Sequence, residues 1–146
     1  LNTNASLPDT VADLFDAGLD SMRVSINSLR EDCYNAYFRP RGYTFADIMH
    51  SIDMALEREG HVALNYLNLP GFTDTPEEYA ALATFLTERP IHLIQWRNLN
   101  YDPLEYYAVM DEVADHGKPL GVATLLKKIR KRFPELKHGY FNPALK

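Results

Sequence analysis

The chain has 146 residues, of which 46% are hydrophobic and 24% are charged, and its formal net charge is −5. This length is enough for one domain with a real core, and the composition excludes a disordered chain. The acidic balance argues against a general nucleic-acid binder, and no apolar run approaches the roughly 20 residues that cross a bilayer.

The chain opens on Leu1 with neither an initiator methionine nor a signal peptide, and already inside a strand-like pattern. We therefore expect a piece of a longer protein. Cys33 is the single cysteine, so an internal disulfide and a cysteine cluster for metal are both excluded. One cysteine also fits a reducing compartment, and the expected location is the cytoplasm.

Strand-like and helical patterns alternate from the start of the chain. A strand ends within residues 1–4, a helix follows over 8–17, a second strand covers 22–28, and a short helix lies near 30–37. Thr44 then caps a long amphipathic helix that Gly60 closes.

The alternation continues in the second half. A third strand covers residues 62–69, and Thr75 opens a helix with a proline and a capping-box glutamate, Glu78. A fourth strand over 91–97 precedes a helix over 102–116. The last amphipathic helix covers 120–133, and a tail contains residues 139–143.

This order predicts an α/β fold with about four parallel strands, in an open sheet or part of a barrel. Parallel strands are normally apolar on both faces, but each of these strands has one polar face. Because side chains alternate between the two faces of a strand, Asn2 shares a face with Asn4, and Ala63 shares a face with Asn65. In the second strand three side chains lie on one face: Arg23, Ser25 and Asn27. In the fourth strand Gln95 shares a face with Arg97. These polar faces predict a wet concave surface that holds a ligand.

Three segments, in this order and spacing, resemble the later strands of radical S-adenosylmethionine (radical SAM) enzymes. They are Arg23-Val-Ser-Ile-Asn-Ser, Leu64-Asn-Tyr-Leu-Asn-Leu-Pro-Gly-Phe-Thr-Asp and Ile94-Gln-Trp-Arg-Asn-Leu-Asn. The resemblance covers nearly the whole chain. It implies a fragment of a partial (β/α)6 TIM-like barrel with a [4Fe–4S] cluster and S-adenosylmethionine in its lumen. Reductive cleavage of S-adenosylmethionine would give a 5′-deoxyadenosyl radical that abstracts hydrogen from a substrate.

The resemblance also implies the residues that hold S-adenosylmethionine. Ser25 and Asn27, with Arg23 on the same face, fall where the family contacts the ribose or the carboxylate. Asn65 falls where the family seats the nucleoside. Three residues of the last predicted strand and the loop after it are at the positions that border the adenine in the family: Gln95, Arg97 and Asn98. No catalytic residue and no metal ligand of this chain is implied.

The chain departs from the family at the cluster. Radical SAM enzymes hold it with three closely spaced cysteines after the first strand, and they use a Gly-Gly-Glu segment at the second; neither motif is present here. One cysteine cannot hold a [4Fe–4S] cluster, and Cys33 is predicted to be a small core residue. We therefore interpret the chain as the carboxyl-terminal part of such an enzyme, beginning at the third strand and expected to be inactive alone, with no cofactor bound.

Two other interpretations remain open: a non-catalytic α/β domain that binds a small molecule or acts as a scaffold, and a barrel-enzyme fragment that uses a sugar phosphate. All 146 residues are expected to form one domain, with the repeats over about 1–118 and the last helix and tail over 119–146. The five histidines lack metal-ligand spacing. The basic stretch from Lys127 is more typical of a solvated helix face than of a nucleic-acid or acidic-partner site. The substrate is unknown, and unpaired strand edges predict self-association.

Overall fold

Five parallel strands form one sheet in the computed structural model, which describes residues 1–139; the predicted tail beyond 139 lies outside the described residues. The strand order follows the chain order. The strands are β1 (Asn2–Thr3), β2 (Ser21–Ile26), β3 (His61–Asn68), β4 (Leu93–Asn98) and β5 (Lys137–His138). The four predicted strands are therefore present, and the α/β prediction is confirmed. The fifth strand was missed.

Six helices occupy the connections, all of them close to the predicted positions. They are α1 (Pro8–Asp16), α2 (Glu31–Phe38), α3 (Phe45–Glu57), α4 (Pro76–Glu88), α5 (Pro103–Val113) and α6 (Val122–Arg132). Three of the helices begin with a proline, which lacks the amide hydrogen that a first turn leaves unpaired. The Asp102 side chain accepts hydrogen bonds from the first-turn amides of α5.

One face of the sheet packs against helices and forms the main core. Val24, Ile26, Leu64 and Tyr66 are fully buried on this face. They pack in one cluster with apolar residues of α1, α3, α4 and α6, namely Val11, Phe15, Ile48, Ile52, Leu82, Phe85, Leu125 and Ile129. The predicted apolar face is confirmed, and the polar residues at alternate positions of the strands therefore point to the opposite side.

Helices α2 and α5 form a second layer of contacts near the carboxyl ends of the strands. They pack against each other and against the loop after β3. The cluster contains Cys33, Leu69, Phe72, Tyr106 and Met110. Cys33 is fully buried, as predicted for a core residue, and burial raises the pKa of its thiol to about 11. These two helices therefore stand beside the sheet edge where parallel α/β proteins bind ligands.

One strand was missed and one predicted boundary was wrong, each for an identifiable reason. Strand β5 is only two residues long and has no apolar pattern, so its pairing with β4 depends on backbone hydrogen bonds, such as the one from Lys137 N to His92 O. Strand β4 extends to Asn98 because that residue pairs with Asn68, whereas the sequence indicated a loop after Arg97. Within the described part of the chain, no helix combines the length and apolarity needed to cross a bilayer.

Candidate functional site

Three of the predicted site residues lie side by side across the middle of the sheet. Ser25 pairs with Asn65, and Asn65 pairs with Gln95, on three adjacent strands. Residues in register on parallel strands point to the same face, so their side chains form one polar row on the side away from the main core. The structure thus brings together residues that are 70 positions apart in the chain.

The row contains two amide oxygens without a hydrogen-bond partner. Asn65 is 8% exposed and Gln95 is 1% exposed. Among the described residues nothing donates to Asn65 Oδ1 or Gln95 Oε1, and both atoms are buried. An unpaired buried acceptor costs free energy, so two neighbouring ones indicate a place where a ligand with paired donors would be stabilised.

Arg23 and Arg97 flank the polar row on the same face. Arg23 is two residues before Ser25, pairs with Asn2 and Ala63, and is half-buried. Arg97 is two residues after Gln95 and is exposed near the carboxyl end of β4. The row therefore lies between two positive charges, which suits a ligand that carries a carboxylate.

Asn27 is a predicted site residue whose side-chain nitrogen already donates hydrogen bonds within the protein. It lies just past the end of β2 and is fully buried. Its Nδ2 donates to the carbonyl oxygen of Cys33 at 3.1 Å and to the hydroxyl of Tyr106 at 3.0 Å. Asn27 therefore connects the end of β2 to α2 and α5, and only its oxygen is without a partner among the described residues.

Asn98 belongs to β4 and not to a loop. Since it follows Arg97 directly in a strand, its side chain points to the other face of the sheet. It is exposed. The role predicted for Asn98 at the adenine border stays a prediction, and it would need the ligand to reach over the end of the strand.

The turn after β3 is held by its own side chains. Gly71 has a φ of +93°, which only glycine adopts without strain, and its amide donates to Asp74 Oδ1. Thr73 Oγ1 accepts from the amide of Leu69 at 3.0 Å, and the hydroxyl of Tyr107 donates to the carbonyl oxygen of Pro70. The Pro-Gly turn is therefore a rigid rim beside the polar row.

A buried carboxylate that the sequence did not indicate lies near the same edge. Glu78, in the first turn of α4, has a side chain with no exposure. The hydroxyl of Ser28 lies 2.9 and 2.8 Å from its two carboxylate oxygens, and Arg30 Nη1 lies 3.5 Å from Oε1. Burial raises the pKa of Glu78 to about 7, against the opposing effects of Ser28 and Arg30.

The predicted capping box at Thr75 was therefore wrong. The Thr75 hydroxyl does accept from the amide of Glu78, at 3.5 Å, but the carboxylate turns away to Ser28, and the Thr75 amide donates to the carbonyl oxygen of Phe72. A complete capping box occurs instead at the start of α3, between Thr44 and Asp47. The contact between Glu78 and Ser28 joins residues 50 positions apart, so no local sequence signal could have revealed it.

The described residues do not fit an iron–sulfur cluster. No group of three or more His, Cys, Asp or Glu side chains within residues 1–139 could hold a metal ion. The buried thiol of Cys33, with its raised pKa, is the opposite of the exposed thiolate that a metal binds.

Comparison with known proteins supports the family and the fold. A family model described as the Radical SAM superfamily matches residues 1–85. No curated protein sequence matches the chain. The fold is similar to the crystal structure of a radical SAM methyltransferase from Sphaerobacter thermophilus, with a TM-score of 0.65 and 18% identity. The match covers 97% of this chain and 40% of that chain, so the present chain spans well under half of that enzyme.

Proposed function

The chain belongs to the radical SAM superfamily, and on that premise we propose that it forms the nucleoside-binding side of a radical SAM enzyme. The parent enzyme would cleave S-adenosylmethionine reductively at a [4Fe–4S] cluster to give a 5′-deoxyadenosyl radical. Because the chain has a single cysteine and its described residues do not fit the cluster, the chain alone would be inactive. Its contribution would be to bind and orient the nucleoside.

The observation that carries this proposal is the pair of orphaned acceptors on the polar row. Asn65 Oδ1 and Gln95 Oε1 belong to neighbouring strands in register and have no donor among the described residues. Ribose hydroxyls and the adenine amino group are donors of the kind that these oxygens would accept from. Ser25 would add a hydroxyl that both donates and accepts.

The two arginines would orient the ligand along the row. Arg23, at the half-buried end, is the candidate for the carboxylate of the methionine moiety, because a guanidinium pairs with a carboxylate in a fixed geometry. Arg97 and Asn98 would border the adenine at the exposed end of β4. The side-chain nitrogen of Asn27 already donates to Cys33 and Tyr106, so Asn27 would contribute by holding the end of β2 in position.

The test is equilibrium binding of S-adenosylmethionine to a longer protein that contains this chain, reconstituted anaerobically. Gln95→Met replaces the acceptor with an apolar side chain of similar size and should weaken binding up to about tenfold, the effect of one lost hydrogen bond. Asn35→Leu is the matched control, because Asn35 Oδ1 is also buried and unpaired but lies on α2, outside the row.

Three outcomes would contradict the proposal. They are no binding of S-adenosylmethionine by the longer protein, equal effects of the two variants, and the absence of a cysteine triplet upstream of Leu1. If the longer protein binds a small molecule without any cluster, the alternative of a non-catalytic binding domain applies. If it binds a sugar phosphate in place of S-adenosylmethionine, it is an ordinary barrel enzyme.

A further inference from the structure

A cavity lies below the amino ends of β3, β4 and β5, at the end of the sheet opposite to the Pro-Gly turn. Its volume is about 390 Å³. The apolar part of its wall comes from the end of α4, the start of β4 and the segment after α6: Leu86, Ile91, Phe133 and Leu136. This volume lies within the range of about 300–1,000 Å³ that is typical of small-molecule sites.

Two stacked histidines line one side of this cavity. The rings of His61 and His92 are stacked, with centroids 4.7 Å apart and planes 28° apart. His92 Nδ1 accepts from the amide of Val62 at 3.1 Å, so a neutral His92 carries its proton on Nε2. His92 is exposed, and this N–H is a donor directed away from the strand.

The buried imidazole of His61 makes no hydrogen bond to the described residues. It is 8% exposed, and neither ring nitrogen has a hydrogen-bond partner among the described residues. Burial and the neighbouring His92 lower its pKa, so the ring is neutral at neutral pH. Another planar ring can stack on the outer face of such an imidazole pair.

The charges around the cavity favour an anion. Arg132 and Lys137 are exposed at its rim, and Glu135 is the single acidic residue among the described residues that line it. The Arg132 guanidinium lies over the Phe133 ring, 5.5 Å from its centroid. The lining therefore combines an aromatic wall, an apolar wall and one net positive charge.

We propose that this cavity binds a small planar aromatic carboxylate, with its ring beside His61, His92 and Phe133 and its carboxylate held by Arg132 and Lys137. The polar row crosses the middle of the sheet, whereas the cavity lies at the amino ends of the strands, and Ser25, Asn65 and Gln95 do not line it. The ligand would therefore be a regulator or a second small molecule. The proposal does not depend on the nucleoside function.

The test uses three probes of one shape and different charge: 2-naphthoate, 2-naphthamide and 2-naphthylmethylammonium. Each is titrated into the ¹³C-labelled chain while NMR follows the Cε1–H signals of all five histidines. We expect naphthoate to shift the signals of His61 and His92 saturably and the amide to bind at least about tenfold more weakly. The ammonium probe should not compete with naphthoate.

Arg132→Gln and Lys137→Gln should each weaken naphthoate binding several-fold, and both side chains are exposed, so the fold should survive. Lys128→Gln is the control: it removes the same charge from the same helix, but Lys128 lies over the Tyr79 ring, at 5.0 Å, outside the cavity. The proposal is overturned if neither histidine responds, if the amide binds as tightly as naphthoate, or if Lys128→Gln weakens binding as much as Arg132→Gln.

Discussion

Asn65 on β3 donates a 3.0 Å hydrogen bond from Nδ2 to Asn2 Oδ1 on β1, across the strand that separates them. In a flat sheet these strands would lie roughly 10 Å apart, so the contact indicates that the sheet curls with its polar face inside. Ser25, which pairs with Asn65 on the intervening strand, has a short side chain that leaves room for the bond.

We expect this bond to hold the short edge strand β1 in place. Asn2→Ala and Asn65→Ala should each lower the free energy of unfolding by about 1 kcal/mol, because each leaves the partner amide unpaired. The double variant should cost less than the sum of the two. Urea denaturation of all four proteins measures the coupling.

Asn4→Ala is the control for this cycle, because the hydrogen bond that Asn4 Oδ1 accepts among the described residues comes from the nearby Ser6 amide, at 3.3 Å in an exposed turn. It should change the free energy of unfolding by less than about 0.5 kcal/mol. Strictly additive effects of Asn2→Ala and Asn65→Ala would show that the bond does not stabilise the sheet.

The second prediction concerns the carboxyl group of Glu78. Burial raises its pKa from 4.5 to about 7, so the folded chain holds this proton more tightly than the unfolded chain. The stabilisation from the bound proton is fully present below about pH 4.5 and is lost as the pH rises through about 7. This rise in the pKa of Glu78 corresponds to roughly 3 kcal/mol of unfolding free energy.

Glu78→Gln keeps the shape and a hydrogen-bonding group but cannot ionise. Its unfolding free energy, measured by urea denaturation between about pH 5 and 8, should lack the decline seen in the wild type. The difference between the two curves isolates Glu78 from His61 and His138, whose pKa values are lowered by burial.

Glu77→Gln is the matched control for Glu78, because the adjacent Glu77 lies at the surface and has a pKa that the Gly117 amide lowers. This variant should keep the decline of the wild type between about pH 5 and 8. A parallel course of the wild-type and Glu78→Gln curves over the same range would contradict the prediction.

The third prediction concerns the close packing at Gly60, where α3 returns to β3. A Cβ at this position would lie 2.3 Å from Phe15 Cε1 and 2.9 Å from the carbonyl oxygen of Ala55. The Phe15 ring can move, but the backbone carbonyl cannot move without disturbing the end of α3. Gly60→Ala should therefore cost about 1–3 kcal/mol, seen as a lower thermal midpoint.

Gly139→Ala is the control for overpacking, because a Cβ there would have no atom of the described residues within 4 Å. It should leave the thermal midpoint unchanged. An equal midpoint for Gly60→Ala and the wild type would mean that the turn between α3 and β3 adapts to the extra methyl group at little cost.

The order of strands and helices was predictable because it depends on local signals. The apolar positions of β2 alternate with polar ones, and Thr44, Pro76 and Asp102 mark the starts of helices. The same alternation correctly placed Asn65 and Gln95 away from the main core. Since their register follows from strand order, the row could be inferred once parallel neighbours were assumed.

The features that the sequence missed depend on distant partners. The carboxylate of Glu78 lies beside Ser28, and β5 exists because Lys137 and Gly139 donate to the backbone of β4. The occupied amide of Asn27 depends on Tyr106, which is 79 residues away. None of these contacts leaves a pattern in its own segment.

The last prediction concerns the outer edge of β5, through which we propose that the chain associates with a second copy. The amides of Lys137 and Gly139 donate to His92 O and Ile94 O, so the amide of His138 between them faces away from β4. A strand edge with an outward amide can pair with another strand. We therefore expect the wild-type chain to dimerise in sedimentation velocity runs as its concentration rises.

His138→Pro removes the outward amide and keeps both bonds to β4, so it should abolish the dimer. His138→Ala separates this effect from the loss of the imidazole, whose Nδ1 accepts from Trp96 Nε1 at 3.0 Å. Both variants lose that bond, but only the alanine variant keeps the amide and should still dimerise. A wild-type chain that stays monomeric, or a proline variant that dimerises as well as the alanine variant, would show that this edge does not mediate association.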